Sequence, residues 1–135
     1  MNGDHRALPH LHIPIVDVRD VADAHVRAMT ATVAAGERYL LSNGPAMDLA
    51  EIAAIVRAHA GPRAPHVPSR SIPDLVVRAG ALLSPRLREI APEVGYAKRT
   101  SNRKAVGELG WQPRAAEEAI AAAADSLIER GLIRR

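Results

Sequence analysis

Ile15-Val16-Asp17-Val18-Arg19-Asp20-Val21-Ala22-Asp23-Ala24-His25 carries the chain from an extended run into a helix. Just upstream, Ile13-Pro14-Ile15-Val16 reads as a short strand, at a sheet edge because Pro14 lacks the N–H that a ladder needs. Asp17 and Asp20 stand where a carboxylate can accept from free helical N–H groups and face the positive end of the helix dipole. Val18, Val21, Ala22, His25, Ala28 and Met29 then recur at helical spacing, which predicts a helix to about Thr32 with that stripe inward. Asp23 and Arg27, four residues apart, form an ion pair on its outer side worth a few tenths of a kcal/mol.

Working outward, Gly36 breaks this helix and Arg38-Tyr39-Leu40-Leu41-Ser42 follows as a short apolar strand ending in the turn Ser42-Asn43-Gly44-Pro45. Asp48 and Glu51 have capping-box spacing, and the helix they open places Leu49, Ile52, Ala53, Val56 and Ala60 on one face before Gly61-Pro62. Pro62, Pro65, Pro68 and Pro73 leave room only for a short strand around His66-Val67-Pro68. Pro73 suits the first turn of a helix that runs through Leu75, Val76, Ala79, Leu82 and Leu83 to Ser84-Pro85, with a further helical turn from Arg86 to Ile90. Ser101 is placed to cap a short helix holding Ala105, Val106 and Leu109 and ended by Gly110. An alanine-rich helix over 115–130 turns Ala116, Ile120, Ala123, Ala124, Leu127 and Ile128 inward. Glu117 and Glu118 lie in its first turn and Arg130 in its last, with Gly131 as the C′ cap and Leu132 behind it.

The expected fold is a helix-rich α/β domain of about five helices and two or three short strands, parallel where helices separate them. That is too few strands for a complete doubly wound sheet. Residues 1–12 read as an irregular lead-in and residues 13–135 as the domain proper.

The chain has 135 residues, 47% hydrophobic and 24% charged, without cysteine or phenylalanine. A single domain of this length buries roughly two-thirds of its unfolded surface, and the chain is too short for a complete two-domain enzyme. Lacking cysteine, it has no disulfides, thiol nucleophiles, cysteine-held zinc or iron–sulfur clusters. No apolar run approaches the roughly 18 residues that span a bilayer, and the segment behind Met1 has no apolar leader, so a soluble cytoplasmic protein without a membrane partner is expected. The net charge of +3 is interleaved with acids, and Tyr39, Tyr96 and Trp111 are the whole aromatic supply. The one basic stretch, Lys98 to Lys104, falls short of a domain-scale patch with stacking platforms, so no nucleic-acid partner is expected.

Reactive constellations are sparse. No G-x-G-x-x-G precedes a helix, and Gly107-Glu108-Leu109-Gly110 lies at a helix end, which presents carbonyls. Walker A, G-x-S-x-G and H-E-x-x-H patterns are absent. His5, His10 and His12 with Asp4 offer metal-ligating side chains, against the alternative of a terminus where histidines merely accumulate; no metal is expected. His25, on the apolar stripe, reads as a hydrogen-bonded, half-buried side chain rather than a catalyst. His59 and His66 carry no specific signal. Asp17, Asp20 and Asp23 could divide acid and base roles if their surroundings split their pKa values; capping explains the first two instead, and the Arg27 pair the third.

Taken together, these landmarks resemble a family. The stretch from Ile15 to His25 resembles the F-V-D-V-R-D-V-A-x-A-H segment of the extended short-chain dehydrogenase/reductases, which include the NAD-dependent epimerase/dehydratases. Gly36-Glu37-Arg38-Tyr39-Leu40-Leu41-Ser42 looks like the strand that follows it there. Ser101-Asn102-Arg103-Lys104-Ala105 and Glu108-Leu109-Gly110-Trp111-Gln112-Pro113-Arg114 are similar to the family's S-x-K-A … E-L-G-W-x-P pattern. Glu117-Glu118-Ala119-Ile120 and Ser126-Leu127-Ile128 match its last helix. The likeness runs from about Ile13 to Ile133 and is nearest to dihydroflavonol-reductase-like or aldehyde-reductase-like members.

It covers only the carboxy-terminal, substrate-binding part of such an enzyme. The family's amino-terminal Rossmann domain supplies the glycine loop, the choice of NAD or NADP and a Ser/Tyr-x-x-x-Lys catalytic set. Here Tyr39 is followed four residues on by Asn43, and Tyr96 by Thr100. No catalytic and no cofactor-binding residue is therefore carried over, and NAD or NADP belongs to the parent architecture rather than to this chain. Ile13 stands where sugar-nucleotide epimerases of the family often place a diphosphate-binding arginine, and a second such arginine is missing before the Ser101 helix. The resemblance thus implies a neutral carbonyl or hydroxyl substrate, with His12 and Ile13 lining its pocket or simply packing a domain junction. The expected function is the substrate-binding portion of an NAD(P)-dependent carbonyl reductase or epimerase/dehydratase, inactive alone. The alternative is a non-enzymatic interaction module that forms a homodimer or binds a partner through the former domain interface. A small standalone enzyme built on the amino-terminal histidines is a third reading.

Overall fold

The computed structural model describes residues 7–132. Asp4 and His5, two members of the histidine-rich metal reading, lie outside them. The described chain is a helix-rich α/β fold with strands β1 (Leu8–Pro9), β2 (His12–Ile13), β3 (Met47–Asp48) and β4 (Ser71–Ile72). Its helices are α1 (Val18–Thr30), α2 (Leu49–Ala60), α3 (Asp74–Gly80), α4 (Pro85–Ile90), α5 (Arg103–Leu109) and α6 (Ala116–Glu129). Two compact units form. One contains the chain up to Ile13, Met47–Ala97 and the chain from Ile120; the other contains Pro14–Ala46 and Lys98–Ala119.

In the first unit β1 pairs parallel with β4, Leu8 opposite Ser71 and Pro9 opposite Ile72. β2 pairs antiparallel with β3, His12 opposite Asp48 and Ile13 opposite Met47. The strands thus fall partly inside the expected lead-in, and pairing is mixed rather than uniformly parallel. Pro14 ends β2 after Ile13, so residues 14–16 do not continue the strand. Residues 66–68 form no ladder either, because Pro65 and Pro68 remove donors on both sides of the buried Val67.

The Asp48 cap of α2 is complete: its carboxylate accepts from Ala50 N at 2.7 Å while Glu51 Oε2 accepts from Asp48 N at 3.1 Å. Ile52, Ala53, Val56 and Ala60 are buried as the spacing predicts, and Gly61 takes a positive φ of 51° beyond the helix. Helix α3 ends at Gly80, short of the expected Ser84-Pro85 boundary. Val77 is its buried residue, whereas Leu75, Val76, Leu82 and Leu83 are exposed. An added Cβ at Gly80 would lie 2.6 Å from Leu87 Cδ1.

Helix α6 buries Ala116, Ala119, Ile120 and Ala124, while Ala123 and Leu127 are exposed. It closes in a Schellman motif, Gly131 N donating to Ile128 O and Leu132 N to Leu127 O, both at 3.0 Å. Within the first unit Asp125 of α6 accepts from His59 Nε2 at 2.7 Å and from Arg63 Nη1 at 3.0 Å, which holds its carboxyl below the usual range.

Asp48→Ala deletes one half of the capping box and leaves an orphan N–H in the first turn. Urea unfolding is expected to show a loss of about 1 kcal/mol, and an unchanged midpoint sinks the claim that this cap anchors α2.

Candidate functional site

In the second unit α1 turns inward a face that the apolar stripe did not define. Asp17, Asp20 and Ala24 are buried and Val21 and Ala28 half-buried, while Val18, Ala22, His25 and Met29 are exposed. The helix is rotated because two of its aspartates are core residues, and an apolar count omits them. His25 is therefore a surface side chain, its Nδ1 2.7 Å from Val21 O.

Each aspartate of the series has its own arginine. Asp17 is the N-cap of α1: Oδ1 accepts from Arg19 N at 2.8 Å and Arg19 Nε at 2.9 Å, and Oδ2 accepts from Arg19 Nη2 at 2.6 Å. The Arg19 hydrogen bonds hold the Asp17 carboxyl down at about 2, against the opposing effect of burial. Asp20 does not cap. Its Oδ2 accepts from Arg114 N at 2.7 Å, its Oδ1 accepts from the Arg114 guanidinium, and its backbone carbonyl accepts from Trp111 Nε1 at 2.8 Å. Asp23 pairs with Arg27 at 2.6 Å, as its spacing predicts. Glu118 Oε1 lies 3.5 Å from Arg19 Nη2 and 3.4 Å from Arg114 Nε, tying both arginines into one network.

Trp111 is fully buried with Ala24, Ala105 and Leu109, against half-buried Val16, Ala28, Tyr39 and Leu41. Helix α5, which supplies Ala105 and Leu109, starts after Asn102 rather than Ser101. Asn102 Nδ2 donates to Ser42 O at 2.7 Å, and Ser101 Oγ reaches Arg103 N only at 3.4 Å. Gly110 ends α5 in the left-handed region at φ 60°, and Arg27 Nη1 donates to its carbonyl at 2.9 Å. Residues 38–42 form no ladder; the neighbouring Asn43 N donates to Ile15 O at 2.7 Å. A strand requires a backbone partner as well as an apolar pattern, and among the described residues none runs beside this segment.

Two clefts open in this unit. One, of about 450 Å³, is lined by Arg19, Asp20, Asp23, Gln112, Pro113 and Arg114. The other, of about 160 Å³, is lined by Ala24, His25, Ala28, Tyr39, Leu41 and Leu109. The acids in the first are paired with arginines, Asp20 with Arg114 and Asp23 with Arg27, and Asp17 beside it is held ionised. In the second, burial together with the hydrogen bond to Glu108 Oε2 at 2.7 Å pushes the Tyr39 phenol up to about 12. That shift runs against use of Tyr39 as an acid–base catalyst near neutral pH. Lys104 Nζ stands 5.0 Å above the Tyr39 ring and pairs with Glu37, which accounts for one cation of the basic stretch.

The expected pocket residues belong to the first unit. His12 lies in β2 with Nδ1 buried and without a hydrogen-bond partner, and Ile13 is 41% exposed. His10 Nδ1 lies 3.0 Å from Asp74 Oδ1. Among the described residues no three His, Asp or Glu side chains gather as a metal site. Four of the six described helix N-termini carry carboxylates, and those of α4 and α5 carry none. Asp17 and Asp48 already fill the N-termini of α1 and α2, Asp74 lies in the first turn of α3, and Glu117 and Glu118 in that of α6. These carboxylates repel the phosphates that a helix N-terminus otherwise attracts.

No family model and no curated protein matches the chain. Among solved structures, the crystal structure of gox2253 is similar, with a TM-score of 0.76 and 24% identity over 98% of this chain. The match covers 42% of that protein, so the chain spans less than half its length. At this identity the likeness establishes the fold.

Asp20→Ala strands the Arg114 guanidinium and an amide of the same residue. Chemical denaturation is expected to show a loss of about 3 kcal/mol, and a loss below about 1 kcal/mol contradicts the role given to this carboxylate. Asp17 supplies an acid limit: its folded pKa is depressed, so its contribution is complete above the unfolded value near 3.8 and falls away as pH drops toward about 2. Asp17→Asn is expected to flatten the stability–pH curve across that window.

Proposed function

We propose that the chain is the substrate-domain portion of an extended short-chain dehydrogenase/reductase, working with a dinucleotide-binding segment that its described residues do not provide. The observation that carries this reading is the closure of two family-like stretches onto each other. Asp20, from the V-D-V-R-D run, accepts from Trp111 and Arg114 of the G-W-x-P-R run, more than ninety residues along the chain. Hydride transfer between NAD(P) and a carbonyl or hydroxyl compound belongs to the combined architecture, in a cytoplasmic setting. This chain contributes substrate-facing surface around His12 and Ile13. An uncharged isoleucine side chain at position 13 does not favour a diphosphate, which supports a neutral substrate.

A second reading, an interaction module, is favoured by one observation. Val18 and Met29 of α1 are 79% and 85% exposed, and with Ala22 and Val26 they form an apolar outer stripe at helical spacing.

Calorimetric titration of the purified chain with NADH and then NADPH, with carbonyl reduction assayed alongside, is expected to show neither saturable binding nor turnover. Sequence encoded upstream of Met1 is expected to specify a glycine-rich βαβ unit and a Tyr-x-x-x-Lys segment. Co-expressed with this chain, that polypeptide should give NAD(P)H-dependent carbonyl reduction. Saturable binding by the chain alone, or upstream DNA without such a unit, overturns the reading in favour of the interaction module.

A further inference from the structure

Helices α3 and α4 form a tight hairpin whose inside and outside are sharply divided. The turn between them is only residues 81–84, and a Cβ at position 80 would stand 2.6 Å from Leu87 Cδ1, so a larger residue there requires the leucine to shift. Val77 of α3 is buried, while α4 has no buried residue and meets α3 through the half-buried Leu87. What remains faces outward: Leu82 and Leu83 in the turn are 79% and 92% exposed, and Leu75 on α3 is 78% exposed.

The charged residues nearest the tip are arginines. Between Leu75 and Arg88 the sequence contains Arg78, Arg86 and Arg88 and no aspartate or glutamate. Arg88 Nε donates to Ala81 O at 3.3 Å and Arg78 Nη2 to Val94 O at 3.5 Å, contacts to neutral carbonyls that leave both cationic charges uncompensated by acids. Asp74 and Glu89 lie just beyond the stretch at either end. Exposed leucines at an apex, with arginines on the flanking helices, match the layering of a bilayer surface. Apolar side chains enter the acyl boundary while guanidinium groups stay among anionic headgroups.

We propose that the α3–α4 tip is a peripheral docking surface for an anionic lipid bilayer, with Leu82 and Leu83 inserted and Arg78, Arg86 and Arg88 on the headgroups. The association is interfacial, and it is compatible with the finding that no described helix is long and apolar enough to cross a membrane. It does not rest on the dehydrogenase reading, since its argument uses neither a cofactor nor the His12 surface.

Flotation of the full chain with phosphatidylcholine vesicles, alone or mixed equally with phosphatidylglycerol, tests the proposal. Binding is expected with the anionic vesicles, falling about fivefold for each of Arg86→Gln and Arg88→Gln at low salt. It should fall at least about tenfold in the Leu82→Ser, Leu83→Ser double variant. Circular dichroism checks that these surface variants stay folded. The chain has no cysteine, so a polarity-sensitive fluorophore on Leu83→Cys reports insertion independently, and its emission should shift to the blue only with anionic vesicles. Absent binding, equal binding to neutral and anionic vesicles, or an unshifted fluorophore overturns the proposal. So does a result in which the leucines govern only protein self-association in sedimentation, which assigns the tip to a protein partner.

Discussion

A carboxylate removed from water holds the second unit in register. Asp20 is buried, and a buried charge is tolerated only when its oxygens are met by donors. Arg114 supplies two, a backbone amide and a guanidinium, while the Asp20 carbonyl receives the Trp111 indole. The three contacts are mutually dependent. Trp111 can be fully buried because its N–H has an acceptor, and Arg114 reaches Asp20 because Gln112-Pro113 is a short tether from the anchored tryptophan. The indole in turn gives Ala24, Ala105 and Leu109 a surface to pack on. Burying a side chain of that size contributes roughly 4–6 kcal/mol before conformational costs, so the polar and apolar halves of this unit form together.

The first unit uses a different device. Its ladders are two residues long and contribute little cooperativity, so α2 is the element on which others rest. A complete capping box fixes its start, four buried side chains fix its face, and Asp125 ties its last turn to α6 through His59 and Arg63. The α3–α4 hairpin is closed by the Gly80–Leu87 fit and turns most of its apolar surface outward. Economy of internal contacts on one side is what leaves a leucine-rich tip on the other.

The elements that could be read from sequence were those whose signal is local. The Asp17 and Asp48 caps, the Gly61 and Gly110 stops and the Gly131-Leu132 closure need only neighbouring residues, and the structure contains each of them. The Asp23–Arg27 pair is legible for the same reason. Helix orientation was not local. The inward face of α1 includes two aspartates and two alanines, so the most hydrophobic stripe is not the buried one. The Asp20–Arg114 bond joins residues 94 positions apart and carries no periodicity; a lone tryptophan beside a proline and an arginine is its only trace in the sequence. Residues 38–42 show a third limit. They alternate exposed and half-buried from Arg38 to Leu41, as a strand does, but no described segment is hydrogen-bonded alongside them.

These same features bear on what chemistry the chain can host. Catalytic carboxylates are usually distinguished by an imbalance, one group left short of donors so that its proton affinity rises. Here the trend is the reverse. Asp17 is over-supplied with donors and Asp125 is held down by His59 and Arg63, while Tyr39 donates to an acid and retains its proton. Groups satisfied in this way keep their protonation state near neutral pH. Polar side chains spent on one another leave the apolar residues that lie outward on α1 and α3 as the surface still open to contact.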